Sequence, residues 1–493
     1  MGELARDMVR QAAQRRPDRP ALIAGDTTLT WAELDDRVEA AAGRLAALCP
    51  FPGERVALVL GNTAEFAVAW FGTLRAGLVA VPLNPGYAAD ELTHAIIDSG
   101  ASVVVGGELQ TVRADELTAD GPRAAYERPA REQLAVLLYT SGTSGRPKAA
   151  MLTHRALAAN HDQLDRIEPA VVGPDDVILL AVPFFHAYGL NTGLGTVAHH
   201  AATGVLVDRF DSAGSLALIE RHGVTVTLGV PSMYAAWSRE PAAASVRGLR
   251  TAVCGAAPLD PADAARFTAV TGTPVLNGYG LTETAPVLTT TAVSDRTKVG
   301  SIGRPLPGVS LRLRDSRGTV LWQDGSAASD EDLAELDLSV ADVAGTDPGE
   351  IVVRGGNLFS GYWPDGHGGP DSDGWWATAD IAYADGDGDL VLVDRVGELI
   401  LVNGFNVYPA EIERVLDDHP GVAEAAVVGV PDPDTGQAPY AYVVPAVEPP
   451  PTVEELRAHC AGRLARFKLP ATIELVAELP HSAIGKVRKG ALR

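Results

Sequence analysis

Three groups of residues in this chain have types and spacings suited to a nucleotide polyphosphate. The first is Tyr139-Thr140-Ser141-Gly142-Thr143-Ser144-Gly145-Arg146-Pro147-Lys148, directly after an apolar run. Gly142 and Gly145 let backbone N–H groups turn toward an anion, the hydroxyls of Thr140, Ser141, Thr143 and Ser144 add donors, and Lys148 brings a point charge. The spacing is not G-x-x-x-x-G-K-[ST], so a Walker-type loop is excluded, and a flexible surface linker is the plain alternative. The second group is Asn277-Gly278-Tyr279-Gly280-Leu281-Thr282-Glu283-Thr284. Here an aromatic face can stack on a base, Thr282 can donate to a phosphate, and Glu283 can hold Mg²⁺, which prefers one or two carboxylates with substrate phosphate oxygens. The third is dispersed: Asp380, read as a turn residue after two tryptophans, can accept from ribose hydroxyls, and Lys486 follows a glycine in a basic tip. Each has a bland counterpart: Tyr279 as core, Glu283 as a surface acid, Asp380 as a structural turn residue, Lys486 as a solvated loop lysine.

These residues must be positioned by more than one domain. At 493 residues the chain exceeds what one core usually holds, and 46% hydrophobic residues suffice to fill two. A net charge of −23 excludes nucleic acid as a main partner, because the attraction that dominates binding to phosphate backbones is reversed, so an anionic ligand must be held locally. Cys49, Cys254 and Cys460 match neither a disulfide framework nor a zinc site, which fits a reducing, cytoplasmic setting. The start of the chain has no apolar signal core. The most apolar region, residues 56–83, is broken by Asn62, Glu65 and Arg75, so no transmembrane segment is expected.

Periodicity predicts strands at 55–60, 78–83, 101–105 and 134–139, with helices at 63–76 and 90–98 between them. This is the βαβ alternation of an α/β domain with parallel strands. The alternation resumes with a helix from about His154 and strands at 177–182 and 224–228. From about residue 300 to 395 short strands separated by turns indicate a β-rich subdomain. Residues 324–348 carry eight acidic side chains and no basic one, read as a solvated loop or short helix. Residues 364–374, dense in Gly, Asp and Pro, read as a flexible approach to Trp375-Trp376. A boundary is placed after Asp394-Arg395, giving an N-terminal domain 1–395 and a small α+β C-terminal domain 396–493.

Taken together and in order, the motifs resemble the adenylate-forming superfamily of acyl-CoA synthetases, peptide-synthetase adenylation domains and firefly luciferase, over residues 10–489. Residues Tyr139 to Lys148 are similar to its phosphate loop and Gly255-Ala256-Ala257-Pro258 to its adenine-side turn. Tyr279-Gly280-Leu281-Thr282-Glu283 is similar to the motif that stacks adenine, touches the α-phosphate and ligates Mg²⁺. Thr378-Ala379-Asp380 stands where the family has Thr-Gly-Asp, whose Asp binds ribose, and Arg395 matches the arginine that also reaches it. Lys486 falls on the lysine that bridges the carboxylate and α-phosphate. The resemblance implies a small C-terminal domain that rotates between half-reactions about a hinge at Gly397, where relatives carry Lys or Asp. It also implies a pantetheine path past Val402 to Asn406, with Gly404 giving clearance; a tight hairpin turn is the structural alternative.

The implied reaction uses MgATP, a carboxylic acid and CoA. Pro183-Phe184-Phe185-His186-Ala187-Tyr188-Gly189-Leu190 resembles the segment that gates the acyl pocket, and it lacks the aspartate with which amino-acid-activating relatives hold an α-amino group. Relatives that take malonate present an arginine where this chain has Gly278, so a second buried carboxylate would lack a partner. With Gly189, Leu190, Val230, Met233 and Cys254 as further wall residues, the expected substrate is an uncharged aliphatic acid; His186 reads equally as a gate or as a packed imidazole. An acyl-AMP ligase or adenylation enzyme that loads an acyl carrier protein is the alternative enzyme. A nucleotide-binding sensor is the non-enzymatic one, and the retention of Lys148, Glu283 and Lys486 speaks against it.

Overall fold

The computed structural model describes residues 5–118, 130–140, 147–298, 300–324, 345–395, 398–402, 405–432, 435–481 and 487–492. Two compact units result. One is built from Met1–Ser310 and Arg354–Trp376, the other from Leu311–Asp324, residues 345–353 and Ala377–Arg493.

The first unit holds the βαβ unit expected from periodicity. Strands Arg55–Leu58 and Val79–Pro82 pair in parallel around the helix Ala64–Arg75. That helix starts at Thr63, whose side chain accepts from the Phe66 N–H, and is buried on all faces from Phe66 to Arg75. Arg75, a charge inside an apolar run, is paired with Asp35 at 2.5 Å and Glu39 at 3.2 Å, as a buried guanidinium requires. The five-stranded sheet runs Ala101–Val105, Arg55–Leu58, Val79–Pro82, Leu134–Thr140, Lys148–Thr153, parallel except for the last pair.

The strands that resume after residue 147 form a second sheet. Its parallel block runs in the order Val275–Gly280, Thr251–Cys254, Val226–Gly229, Val177–Leu180, Thr203–Leu206, Pro20–Ala24. Pro20–Ala24 comes from the start of the chain, and the helix Trp31–Leu48 after it opens with a reciprocal Thr30–Glu33 capping box. At the other end Val287–Thr290 and Ser301–Pro305 add antiparallel strands.

In the second unit the order is Val320–Asp324, Val309–Arg314, Gly349–Gly355, Trp376–Ala384, Leu390–Arg395, the β-rich stretch expected from about residue 300. Beyond it, Phe405–Val407, Ile400–Val402, Gly436–Pro445 and Val422–Asp432 make a separate sheet, with Thr472–Leu475 beside Gly436–Pro445. Helices Pro409–Asp417 and Val453–Ala461 cover a small core of its own, including Ile400, Val407, Ile412, Leu416, Val427, Val443 and Leu456. Among the described residues no helix is long and apolar enough to cross a membrane. The acidic segment falls outside the described residues from 325 to 344.

Candidate active site

The phosphate-loop candidate is the tip of a hairpin. Leu134–Thr140 and Lys148–Thr153 are antiparallel with Thr140 opposite Lys148, and Thr140 Oγ1 donates to the Lys148 carbonyl at 3.3 Å. The apolar strand anchors the hairpin, since Val136, Leu137 and Leu138 are buried while Lys148 is exposed. Ser141, Gly142, Thr143, Ser144 and Gly145 lie outside the described residues.

The adenine-motif candidate occupies the end of the parallel block. Strand Val275–Gly280 carries Gly278, Tyr279 and Gly280, and residues Thr282–Thr284 form one 3₁₀ turn. A Cβ on Gly280 would stand 1.8 Å from the Pro286 carbonyl oxygen, so backbone crossing backbone demands glycine there. At Gly278 a Cβ would meet nothing closer than 3.9 Å, so its glycine is a matter of space left open. Tyr279 is buried in the strand. Glu283 is not the surface acid of the bland reading: it is 7% exposed, and Tyr362 Oη donates to its Oε1 at 2.6 Å. Thr282 beside it is half-buried.

Four buried amides hold the turn that presents Glu283. Asn191 Nδ2 donates to the Ala285 carbonyl at 2.8 Å, and Asn357 Nδ2 to the Thr284 carbonyl at 2.7 Å. Asn160 bonds both the N–H and the carbonyl of Val287. Gln163 Nε2 donates to Asn357 Oδ1 at 3.1 Å. Sequence reasoning passed over these four and Tyr362; an amide carries no chemical signature in the sequence, and only its burial in the fold demands a partner.

Magnesium fits this donor set, since one buried carboxylate is available, with one oxygen held by a neutral hydroxyl and no ion pair on it among the described residues.

The candidate adenine-side turn follows strand Thr251–Cys254. Gly255 donates to the Gly229 carbonyl at 3.1 Å and packs on the Tyr188 ring, Ala256 takes a left-handed φ of 72°, and Ala257 follows it. Among the acyl-pocket candidates, Tyr188 opens a π-helix, Tyr188–Gly195, and its hydroxyl donates to the Val253 carbonyl at 3.1 Å. The Tyr234 hydroxyl donates to the same carbonyl at 2.8 Å. A Cβ on Gly189 would lie 2.3 Å from the Pro183 carbonyl oxygen, so the turn closes only with glycine. Val230, Met233 and Cys254 share one apolar cluster with Tyr188 packed against it. Burial pushes the Cys254 thiol up to about 12 and the His186 imidazole down to about 4. His186 Nε2 has no partner among the described residues, and its ring lies 4.8 Å from that of Phe185, as a packed imidazole.

In the second unit, Asp380 corrects the expectation of a turn. It sits inside the strand Trp376–Ala384, 7% exposed, directly opposite Arg395, whose Nε donates to Asp380 Oδ1 at 2.5 Å. The turn-like composition is accounted for by Ala379, which takes φ 62° within the strand, the left-handed region that glycine enters freely. In the first unit, residues 364–374 form a series of hydrogen-bonded turns, with Gly366 donating to the Tyr362 carbonyl and Trp375 to Asp371 Oδ1. Gly397, Gly404 and Lys486 lie outside the described residues.

A two-sheet N-terminal unit with a nucleotide-motif strand end, and a small C-terminal sheet with its own core, define the architecture of an adenylate-forming enzyme. The family model for AMP-binding enzymes matches residues 9–363 and that for the AMP-binding enzyme C-terminal domain residues 411–486. The chain belongs to this family, that of the ATP-dependent acyl-CoA synthetases and AMP-forming acid–thiol ligases. Among its relatives, a feruloyl-CoA synthase from Amycolatopsis is 36% identical over 98% of this chain and 96% of that protein. A long-chain-fatty-acid–CoA ligase from Yersinia pestis is 33% identical over 99% and 93%. The crystal structure of ATP-bound MatB from Rhodopseudomonas palustris superposes with a TM-score of 0.88 at 30% identity, covering 100% of this chain and 98% of that one.

Proposed function

We propose that this protein converts an uncharged carboxylic acid, ATP and CoA into acyl-CoA, AMP and pyrophosphate, with an aliphatic acid as the preferred substrate. The observation that carries the reading is the buried Glu283 carboxylate on a turn braced by four amides, at the end of a strand bearing Tyr279. On this reading residues 1–395 bind ATP and the acid, and residues 396–493 are the mobile domain that supplies Lys486.

A carboxylate oxygen attacks the α-phosphorus of ATP and pyrophosphate leaves, giving acyl-AMP. The CoA thiol then attacks the acyl carbonyl carbon, AMP leaves, and a proton is released. Thr140 to Lys148 grip the β- and γ-phosphates, so their hydroxyls position and do not attack. Thr282 and Lys486 stabilise charge developing at the α-phosphate, and Tyr279 with Gly255 to Ala257 borders the adenine. Asp380 and Arg395 are assigned to the ribose, and exchange their mutual pair for its hydroxyls. Glu283 would hold Mg²⁺, which when bound would supply neutralisation of phosphate charge.

Gly278, which brings no cationic side chain of its own, and the cluster of Val230, Met233 and Cys254 support an uncharged acyl group. The relatives named for long-chain acids favour an aliphatic chain, and those named for feruloyl-CoA make aromatic acids the second reading. Loading of an acyl carrier protein is the alternative for the acceptor. Incubation with MgATP, a panel of short, long and aromatic acids, and either CoA or a holo carrier protein tests all of these. Acid-dependent AMP with acyl-CoA is expected; AMP with thioester only on the carrier supports the alternative acceptor, and no AMP refutes the proposal.

A further inference from the structure

The segment Phe359 to Trp363 belongs to no motif picked out by sequence, yet it is stitched to two that are. On one side it runs along the strand that Lys148 begins: Ser360 donates to the Met151 carbonyl at 2.9 Å, Met151 to the Gly361 carbonyl at 3.0 Å, and Trp363 to the Ala149 carbonyl at 2.9 Å. On the other, the Phe359 N–H donates to the Glu283 carbonyl at 2.9 Å. Between these anchors Tyr362 points both ways. Its hydroxyl meets Glu283 Oε1 at 2.6 Å, the short range of an O–H donor on a carboxylate, and the face of its ring lies 5.4 Å from Lys148 Nζ. Phe359 packs edge-on against the same ring at 5.1 Å, and a bond from the Tyr362 N–H to the His367 carbonyl at 2.9 Å fixes its backbone.

We infer that Tyr362 is a positioning residue that sets the phosphate-gripping ammonium of Lys148 and the metal-binding carboxylate of Glu283 in register, through its ring and its hydroxyl respectively. The inference rests on the roles proposed above for those two residues. The logic is one of separable contacts. The hydroxyl fixes which carboxylate oxygen faces the cation site and satisfies the other, which a buried carboxylate cannot leave bare without cost. The ring holds a flexible ammonium over a fixed plane, lowering the entropy lost when phosphate binds.

Binding is the readout, measured by calorimetry with MgATP and, in chelator, with metal-free ATP. Tyr362→Phe keeps the ring and loses the hydroxyl, so it should weaken MgATP about tenfold or more while leaving metal-free ATP unchanged. Tyr362→Leu loses both contacts and should in addition weaken metal-free ATP by about two- to fivefold, a loss that phenylalanine rescues. Because Tyr362 is tied into the fold, Glu283→Gln supplies an independent arm: adding Tyr362→Phe to Glu283→Gln should cost MgATP binding little beyond the single change. Equal weakening of MgATP and metal-free ATP by Tyr362→Phe, no weakening of either, or full additivity with Glu283→Gln overturns the inference. If Glu283→Gln itself spares MgATP, the proposed metal role fails first, and the inference falls with it. A selective Glu283→Gln defect beside a silent Tyr362→Phe removes the inference alone.

Discussion

At the scale of residues, the proposed chemistry rests on groups whose surroundings differ sharply from what their types suggest. Glu283 is an acid in a loop by composition and a buried, hydrogen-bonded carboxylate in the fold. Its motif was legible because aromatic, hydroxyl and carboxylate fall within five residues of a strand end; its partner Tyr362 was not, because a contact across the fold leaves no mark on local spacing. Asp380 shows the converse. Its neighbours suggested a turn, and the backbone does turn locally at Ala379, φ 62°, but inside a continuous strand. A left-handed alanine costs about 1–2 kcal/mol relative to a residue free to adopt that conformation, partly offset by the entropy glycine loses on folding. Ala379→Gly should therefore raise stability by about 0.5–1 kcal/mol in urea unfolding without reducing acid-dependent AMP formation. A destabilised variant would mean that the alanine methyl contributes packing that outweighs the backbone term.

Among elements, the strands and helices of the βαβ unit appear within a residue or two of their predicted limits, because an apolar strand and a capped helix carry their period and their stop signals in the chain. The π-helix Tyr188–Gly195 was not predicted, since a widened turn leaves no distinct period in the sequence. The helix His154–Leu164, which leads from the Lys148 strand to Asn160 and Gln163, carries a pH liability. Burial lowers His154 to about 4 and His161 to about 3, with Arg6 adding to the first and His199 and His200 to the second. Both imidazoles are thus neutral in the folded state, whereas the unfolded chain protonates them near pH 6.5. Their contribution to stability is full well above pH 6.5 and is lost as pH falls toward the folded values, by about 1.5 kcal/mol for each between pH 6.5 and 5. Hydrogen exchange in this helix, corrected for intrinsic rates, should show protection falling over that interval. Constant protection would show that these histidines are already charged when folded.

For the molecule as a whole, the division of labour follows from charge and connectivity. An acidic chain with net charge −23 must hold a polyphosphate by local donors, the role proposed for Lys148, the hydroxyl loop before it and Lys486. The small C-terminal sheet has its own core, which suits a body that moves as a unit. If that motion turns on Gly397, replacing it with proline, which fixes φ, should leave acyl-adenylate formation near wild type and depress transfer to CoA at least tenfold in single-turnover assays. Equal loss of both steps would place the hinge elsewhere. Substrate identity was the least legible property, because an acyl pocket is shaped by side chains from many elements: Val230 and Met233 are neighbours at one helix start, but Cys254 joins their cluster through the pairing of two strands.

The central claim is that an acyl-adenylate forms with Lys486 at the reacting phosphate. Acid-dependent ATP–pyrophosphate exchange by wild type and by Lys486→Ala, alongside thioester formation from supplied acyl-AMP, tests it most directly. The account predicts that exchange falls roughly 10²- to 10³-fold while transfer from acyl-AMP to CoA is largely retained. Exchange persisting near the wild-type rate in Lys486→Ala would contradict it.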